Sequence, residues 1–119
     1  MMIKQADIVT VDFEPSKGHE IQKRRPALVM SRDEYNKSTP LIIVCPITST
    51  KRERPFLIPL KQPVSDGMLV KESKVNTIQV YSLDSTKQGG RNVQVIGHLA
   101  ADEFYVIAQY LMQNFNFRF

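Results

Sequence analysis

The 119-residue sequence is poor in the residues that build disulfide and metal sites, with one cysteine, two histidines and no tryptophan. A single cysteine, Cys45, excludes a disulfide framework and indicates a reducing compartment, so we expect a cytoplasmic location. His19 and His98 lie far apart without a ligand-spaced cysteine, which argues against a structural zinc site. The lack of tryptophan removes indole rings from any stacking contact with a ligand.

Long apolar runs and nucleotide-binding or hydrolase motifs are also missing. The longest apolar run, residues 41–47, is far too short to span a bilayer, and the N-terminus lacks the apolar stretch of a secretory signal. No glycine-rich phosphate loop and no Gly-x-Ser-x-Gly elbow is present. The sequence therefore predicts neither a membrane protein nor a cofactor-dependent enzyme of these common classes.

The composition is that of an ordinary globular domain with an uneven charge distribution. Hydrophobic residues make up 42% and charged residues 24%, and we expect one domain over residues 1–119. The formal net charge is +4, but residues 15–60 hold nine Lys or Arg against four Asp or Glu, an excess of +5. This local excess favours an anionic partner such as nucleic acid, although solvated surfaces are also often basic.

The hydrophobic pattern is mainly that of short strands. Alternating or continuous apolar segments predict strands at residues 6–13, 26–30, 41–48, 56–60, 68–70, 77–83 and 93–98, with a charged loop at 14–25 and turns at Gly67 and Gly89-Gly90. Six or seven short strands indicate a small antiparallel barrel.

Two helical segments are predicted beside these strands. Ser31 and Glu34 have the spacing of a capping box, which predicts a short helical turn near residues 31–36. Phe104, Ile107 and Leu111 recur at helical spacing, which predicts a C-terminal helix over residues 101–114 that covers an open face of the barrel.

Two polar segments remain as candidates for chemistry. One is the dense cluster at residues 18–26, and the other is Thr48-Ser49 at the end of a predicted strand. The alternatives are a solvated loop for the first and hydroxyls that cap backbone groups for the second. Arg25 directly precedes Pro26 and an apolar strand, so its backbone is anchored. Cys45 lies within an apolar strand and is interpreted as a core residue.

Three motifs carry a resemblance to a known family. They are Asp-Ile-Val-x-Val-Asp-Phe-x-Pro at residues 7–15, Gly-His-Glu-x-x-x-x-Arg-Pro-Ala-Leu-Val at 18–29 and Val-Cys-Pro-Ile-Thr-Ser at 44–49. In this order and spacing the chain resembles the MazF/PemK (Kid) toxin family over nearly its whole length. The resemblance implies a CcdB/PemK-like, SH3-like antiparallel barrel that forms a homodimer and acts as a metal-independent, sequence-specific endoribonuclease on single-stranded RNA.

The resemblance also implies partners. These toxins are neutralised by a cognate antitoxin, whose acidic, extended C-terminal segment occupies the RNA groove. The complex of toxin and antitoxin is expected to bind operator DNA. Neither a cofactor nor a metal ion is expected.

By the same resemblance, Arg25 corresponds to the catalytic arginine of the family and Thr48 to its catalytic threonine. Glu20 occupies the acidic position of the loop, and His19 is a histidine that some members carry beside it. The chemistry agrees, because a guanidinium offers a bidentate fork for phosphate oxygens and a hydroxyl can donate one further hydrogen bond. Glu20 suits a general base, and His19 is the nearby residue type that titrates around neutral pH.

Residues 71–84 depart from the family pattern. Members usually carry Asp-Gln-x-Lys/Arg-Ser/Thr here, and alignment from Ile78 places Ser73 on the Asp and Lys74 on the Gln, whereas a one-residue shift places Glu72 on the Asp. The general base therefore stays open among Glu20, His19 and an acid near 72–73. Contacts to RNA are expected from basic and polar residues around the site: Lys17, Lys23, Arg24, Ser49, Arg52, Lys74, Asn76 and Thr77.

Two other functions remain open at this point. A CcdB-like gyrase poison shares the fold by resemblance but ends its last helix in Trp-Gly-Ile, whereas this chain ends in Asn-Phe-Asn-Phe-Arg-Phe. A catalytically weakened module that binds only RNA or the antitoxin is suggested by the altered 71–84 segment.

Overall fold

The fold is mainly antiparallel β-sheet with a C-terminal helix. The computed structural model describes residues 2–13, 24–64 and 72–117. The described strands are β1 (Asp7–Asp12), β2 (Arg24–Val29), β3 (Leu41–Thr48), β4 (Leu57–Pro59), β5 (Lys74–Asn76), β6 (Tyr81–Asp84) and β7 (Gln94–His98). The described helices are α1 (Asp33–Ser38) and α2 (Ala101–Met112), with a 3-10 turn at Lys87–Gly89.

The strands form one seven-stranded sheet in the order β4-β5-β3-β2-β1-β7, and β6 also pairs with β3. Strand β3 is long enough to pair with two other strands along one of its edges. Its first four residues pair with β6, and its last two, Ile47 and Thr48, pair with β5. Over the described residues β4 and β7 do not pair with each other, so the predicted antiparallel architecture is confirmed as a barrel that does not close.

Each face of the sheet carries its own apolar cluster, because side chains alternate along a strand. One cluster packs beneath helix α2 and includes Ile8, Leu28, Cys45, Ile47, Val75, Phe104 and Ile107. The other lies on the opposite face and includes Val9, Val11, Ala27, Val29, Ile42, Val44 and Leu83. Successive residues of a strand therefore place their side chains alternately beside one cluster and the other.

Helix α2 confirms the predicted C-terminal helix and its role of covering one face. Phe104 and Ile107 are buried against the sheet, while Asp102 and Glu103 lie in the first turn, where the helix dipole favours acids. Glu103 also accepts a hydrogen bond from the Lys61 backbone N–H at 2.8 Å, which joins the helix to the segment after β4. Neither described helix is long and apolar enough to cross a membrane.

Helix α1 confirms the predicted helical turn but not its capping box. Its N-cap is Arg32, and no side-chain cap is formed. The Ser31 hydroxyl instead donates to the Asn36 side chain and accepts the Ile43 backbone N–H at 2.9 Å. Ser31 therefore joins α1 to β3, and the helix runs from Asp33 to Ser38, two residues later than the predicted turn at both ends.

Other boundaries differ from the sequence-based prediction. β2 begins at Arg24, so the loop predicted for 14–25 is two residues shorter at its end. The strand predicted at 77–83 is a turn followed by β6, and β5 was not predicted. Gly90 closes the predicted turn with a φ of 71°, a left-handed conformation that favours glycine. The strand predicted at 68–70 and the turn at Gly67 lie outside the described residues.

Candidate active site

Arg25 and Thr48 lie on adjacent strands near the same end of the sheet. β2 pairs with β3 through Leu28 with Cys45 and Ala27 with Pro46. Extending this antiparallel register by two residues places Arg25 opposite Thr48, so the two side chains share one face. Directly opposed residues have Cβ atoms about 5 Å apart, close enough for both side chains to contact one phosphate group.

Arg25 is exposed, and its side chain makes no hydrogen bond or ion pair with any described residue. Its partner across the other edge of β2 is Val11, which belongs to the apolar cluster on the face away from α2. The strand therefore fixes the Arg25 backbone and leaves its five N–H donors available. An exposed guanidinium fork on a rigid strand is suited to bind an anion.

Arg24 has a different environment because its side chain points to the opposite face of β2. Its guanidinium forms an ion pair with Asp12 at 3.1 Å and donates to the Thr10 hydroxyl at 2.6 Å. These contacts tie β2 to β1. The structure thus places the Arg24 side chain against β1, on the face of β2 opposite to Arg25.

Lys74 lies on the other side of Thr48. The register pairs Thr48 with Lys74 directly, and extension of the β2–β3 register by two residues beyond its last pair, Ala27 with Pro46, adds Arg25 to a row with Thr48 and Lys74 on one face. Lys74 is only 6% exposed, and its ammonium donates to the Arg52 backbone carbonyl at 2.7 Å. This contact holds the segment after β3 close to Thr48.

The segment after β3 forms one wall of a cleft beside this row. The cleft has a volume of about 630 Å³, and its described lining residues are Ser49, Thr50, Lys51 and Glu72. Ser49 and Arg52 are both exposed, as expected for ligand contacts. The Arg52 backbone N–H donates to the Thr50 hydroxyl at 3.1 Å, which makes a local turn in this wall.

The structure distinguishes the two candidate positions for an acid near residues 72–73. Ser73 is buried and accepts the Val64 backbone N–H at 2.9 Å, whereas Glu72 is exposed and lines the cleft. Thr50 and Lys51 are cleft residues that the sequence did not single out. Their signal was only their position next to Ser49 in the chain.

Asn76 and Thr77 begin the turn after β5. The Asn76 side chain donates to Gln79 at 3.3 Å and accepts the Ile78 backbone N–H, so it is engaged in the turn. Thr77 is 1% exposed and donates to the Phe56 carbonyl at 2.8 Å. The buried Thr77 hydroxyl therefore joins the turn to the segment that precedes β4.

Four predicted site residues, Lys17, His19, Glu20 and Lys23, lie outside the described residues. Among the residues that the structure does describe, no three His, Cys, Asp or Glu side chains cluster in a way that could hold a metal ion.

Comparison with known proteins identifies the family of this chain. Residues 4–115 match the family described as PemK-like, MazF-like toxin of type II toxin–antitoxin system. The chain belongs to this toxin family. The endoribonuclease toxin MazF of Escherichia coli K12 is a relative with 34% identity over 83 residues, which is 70% of this chain and 74% of that protein.

Other members of the family are similar over more of the chain. Endoribonuclease MazF9 of Mycobacterium tuberculosis is 30% identical over 108 residues, 86% of each chain. The crystal structure of MazE-MazF (Form-II) from Deinococcus radiodurans superimposes with a TM-score of 0.74 at 28% identity, over 96% of both chains. The family expected from the sequence motifs is thereby confirmed, together with the fold.

Proposed function

We propose that this endoribonuclease toxin cleaves single-stranded RNA at specific sequences without a metal ion. In the proposed reaction the 2′-oxygen of the substrate forms a bond to the adjacent phosphorus while the bond from phosphorus to the 5′-oxygen breaks. A base accepts the 2′-hydroxyl proton, and an acid protonates the leaving 5′-oxygen. The products are a 2′,3′-cyclic phosphate end and a 5′-hydroxyl end. The observation that carries this proposal is the exposed Arg25 in register with Thr48.

Arg25 is suited to stabilise the negative charge that develops on the phosphorane. Its fork can bind two non-bridging oxygens, and its donors have no partner in the described chain to release first. Thr48, half-buried beside it, can donate a single hydrogen bond. Both groups lie on strands, so their positions require little reorganisation when substrate binds.

The candidates for the general base are Glu20, His19 and Glu72. Only Glu72 lies in the described part of the chain, and its place on the cleft wall beside Ser49 supports including it. A carboxylate or an imidazole at this position could accept the 2′-hydroxyl proton. The proposed RNA contacts are Lys17, Lys23, Ser49, Arg52, Lys74 and Asn76.

We expect Arg25→Ala and Thr48→Val to lower the rate of RNA cleavage by about 10²–10³-fold, since each removes a donor to the transition state. The assay uses a long mixed-sequence RNA in EDTA, with the fragment ends identified as 5′-hydroxyl or 5′-phosphate. Arg32→Ala is the matched control because Arg32 is exposed at the N-cap of α1, which precedes the start of β3, whereas Thr48 is the last residue of β3. Glu72→Gln in the same assay tests the described base candidate.

The assay separates the alternatives. Discrete fragments with 5′-hydroxyl ends that disappear in Arg25→Ala support the nuclease. Intact RNA that is still bound by the wild-type protein would instead indicate a binding module, and dependence of cleavage on added Mg²⁺ would contradict the metal-free mechanism.

We also propose that residues 1–119 act as one toxin domain in the cytoplasm, as a homodimer neutralised by an antitoxin. The D. radiodurans relative was crystallised as a MazE-MazF complex, which supports an antitoxin partner for this chain. The acidic, extended C-terminal segment of the antitoxin would compete with RNA for the surface around Arg25. The complex of toxin and antitoxin would bind operator DNA. Added salt should weaken both interactions.

A further inference from the structure

Lys74 is a buried lysine that no carboxylate of residues 2–13, 24–64 or 72–117 neutralises. The residue is 6% exposed, and it forms no ion pair with any carboxylate of the described chain. Its one hydrogen bond goes to a neutral carbonyl, that of Arg52. An ammonium has three N–H donors, so two remain without a partner among the residues that the structure describes.

Burial of a charge without a counter-ion is unfavourable, so buried lysines are rare unless they are paired. The nearest acid in sequence, Glu72, lies on the cleft wall without forming an ion pair to Lys74. The described chain thus supplies no anionic partner for this ammonium, whereas the phosphates of the proposed RNA substrate are anions.

The strand pairing indicates where that anion would lie. Lys74 pairs with Thr48 on one edge of β5 and with Pro59 on the other. Its side chain shares a face with Thr48, and Arg25 flanks Thr48 on the opposite side. A hydroxyl is thus placed between a guanidinium and an ammonium, with a spacing of about 5 Å between neighbouring Cβ atoms.

We propose that Lys74 binds the scissile phosphate of the RNA from beneath the loop, and that its hydrogen bond to Arg52 aims the ammonium towards Thr48. This inference rests on the proposed function, and it adds a second cation to the site. Arg25 approaches the phosphate from the solvent side, whereas Lys74 approaches it from the buried side.

A purely structural role is the competing explanation, in which Lys74 only supports the loop through Arg52. The two roles differ in what they predict for salt dependence. Each phosphate neutralised on a single strand contributes about 0.7 to the slope of log affinity against log salt concentration. A loop support changes affinity without changing the number of neutralised phosphates.

The test measures binding of a fully 2′-O-methylated, mixed-sequence RNA oligonucleotide, which has no free 2′-hydroxyl to react. Lys74→Gln keeps a donor for the Arg52 carbonyl but removes the charge, and Lys74→Met removes both. We expect the salt slope to fall by about 0.7 in both variants. Lys87→Gln is the matched control, because Lys87 is exposed in the 3-10 turn near the first residues of β3, and its slope should equal that of the wild type.

Thermal unfolding tests whether the Lys74→Met variant is correctly folded. Replacement of a buried unpaired charge by an apolar side chain of similar length removes a desolvation cost. Lys74→Met without RNA should therefore unfold at the same temperature as the wild type or a higher one. Inorganic phosphate, compared with chloride at equal ionic strength, should raise the unfolding temperature of the wild type more than that of Lys74→Met.

The outcomes separate this inference from the proposed function. If Arg25→Ala abolishes cleavage but both Lys74 variants keep the wild-type salt slope, Lys74 is a loop support and the inference is wrong. If the wild type cleaves no RNA while the slope still falls in the Lys74 variants, the nuclease proposal fails and the phosphate site stands.

Discussion

Arg24 and Arg25 are adjacent residues of the same type whose surroundings differ completely. Arg24 is engaged with Asp12 and Thr10, while Arg25 is exposed and unpaired among the described residues. The difference follows from the two-residue period of a strand, which sends neighbours to opposite faces. The sequence alone could assign these roles only once β2 was known to begin at Arg24, because a loop has no such period.

Cys45 shows how burial alone changes the chemistry of one residue. Its side chain has no accessible surface, and this burial raises the pKa of the thiol to about 12. The folded chain therefore holds the thiol proton more tightly than the unfolded chain does. The contribution of Cys45 to stability is complete below the ordinary thiol pKa and is lost as pH rises through the interval up to about 12.

We expect the free energy of unfolding to fall by about 1.5 kcal/mol more in the wild type than in Cys45→Ala between pH 9 and 10.5. Urea titrations of both proteins at each pH measure this difference. Lysines and tyrosines titrate in both proteins, so their contribution cancels when the two are compared. Parallel pH dependence in the two proteins would mean that the thiol ionises equally well in the folded state. A thiol reagent at pH 8 should likewise react with Cys45 only after unfolding.

At the scale of secondary structure, the sequence predicted the long periodic elements better than the short ones. β3 was predicted with its observed bounds, and α2 within two residues of its end, because each has a clear apolar period. β5 was missed because its three residues, Lys74–Asn76, contain a single apolar side chain, Val75. Their pairing with β3 and β4 is a tertiary effect, as is the burial of Thr77.

The same limit applies to the site. Family motifs identified Arg25 and Thr48, but the charged row of which they are part needs the register between β2, β3 and β5. That register joins residues up to about fifty positions apart in the chain. Local sequence patterns do not contain this information, so Lys74 could be named as a contact but not recognised as a buried cation.

Helix α2 stabilises the fold through few side chains, chiefly Phe104 and Ile107. Ile107 is 1% exposed, so its truncation leaves a cavity beneath the helix. We expect Ile107→Ala to lower the free energy of unfolding by about 2–5 kcal/mol. Gln109→Ala, at an exposed position of the same helix, should change it by less than about 0.5 kcal/mol. Equal effects in chemical denaturation would show that α2 does not pack as described.

At the scale of the whole molecule, only part of the basic excess of residues 15–60 belongs to the site. Arg25 and Arg52 lie near Thr48, at the end of β3, but Arg32 and Lys37 lie in and beside α1, which precedes the start of β3. The net charge is thus divided between the two ends of the sheet. All of these charges contribute to the long-range attraction of RNA, whereas phosphate binding at the site depends on the row of Arg25, Thr48 and Lys74.

The proposed homodimer can be tested because large apolar side chains are exposed on one part of the surface. The outer face of α2 and the segment after it expose several large apolar side chains: Tyr105, Val106, Met112, Phe115 and Phe117. Monomers rarely expose so many apolar groups together, because such patches promote association. In a symmetric dimer the same patch can serve both protomers.

We expect the 13.6 kDa chain to sediment as a dimer at micromolar concentration and Val106→Lys to shift it to the monomer, since the substitution places a charge on the outer face of α2. Lys87→Glu, which alters an exposed residue of the 3-10 turn, should leave the dimer intact. A monomeric wild type would contradict the homodimer itself. A dimer that persists in Val106→Lys would instead place the interface on another surface, and would leave the apolar residues of α2 available to a different partner.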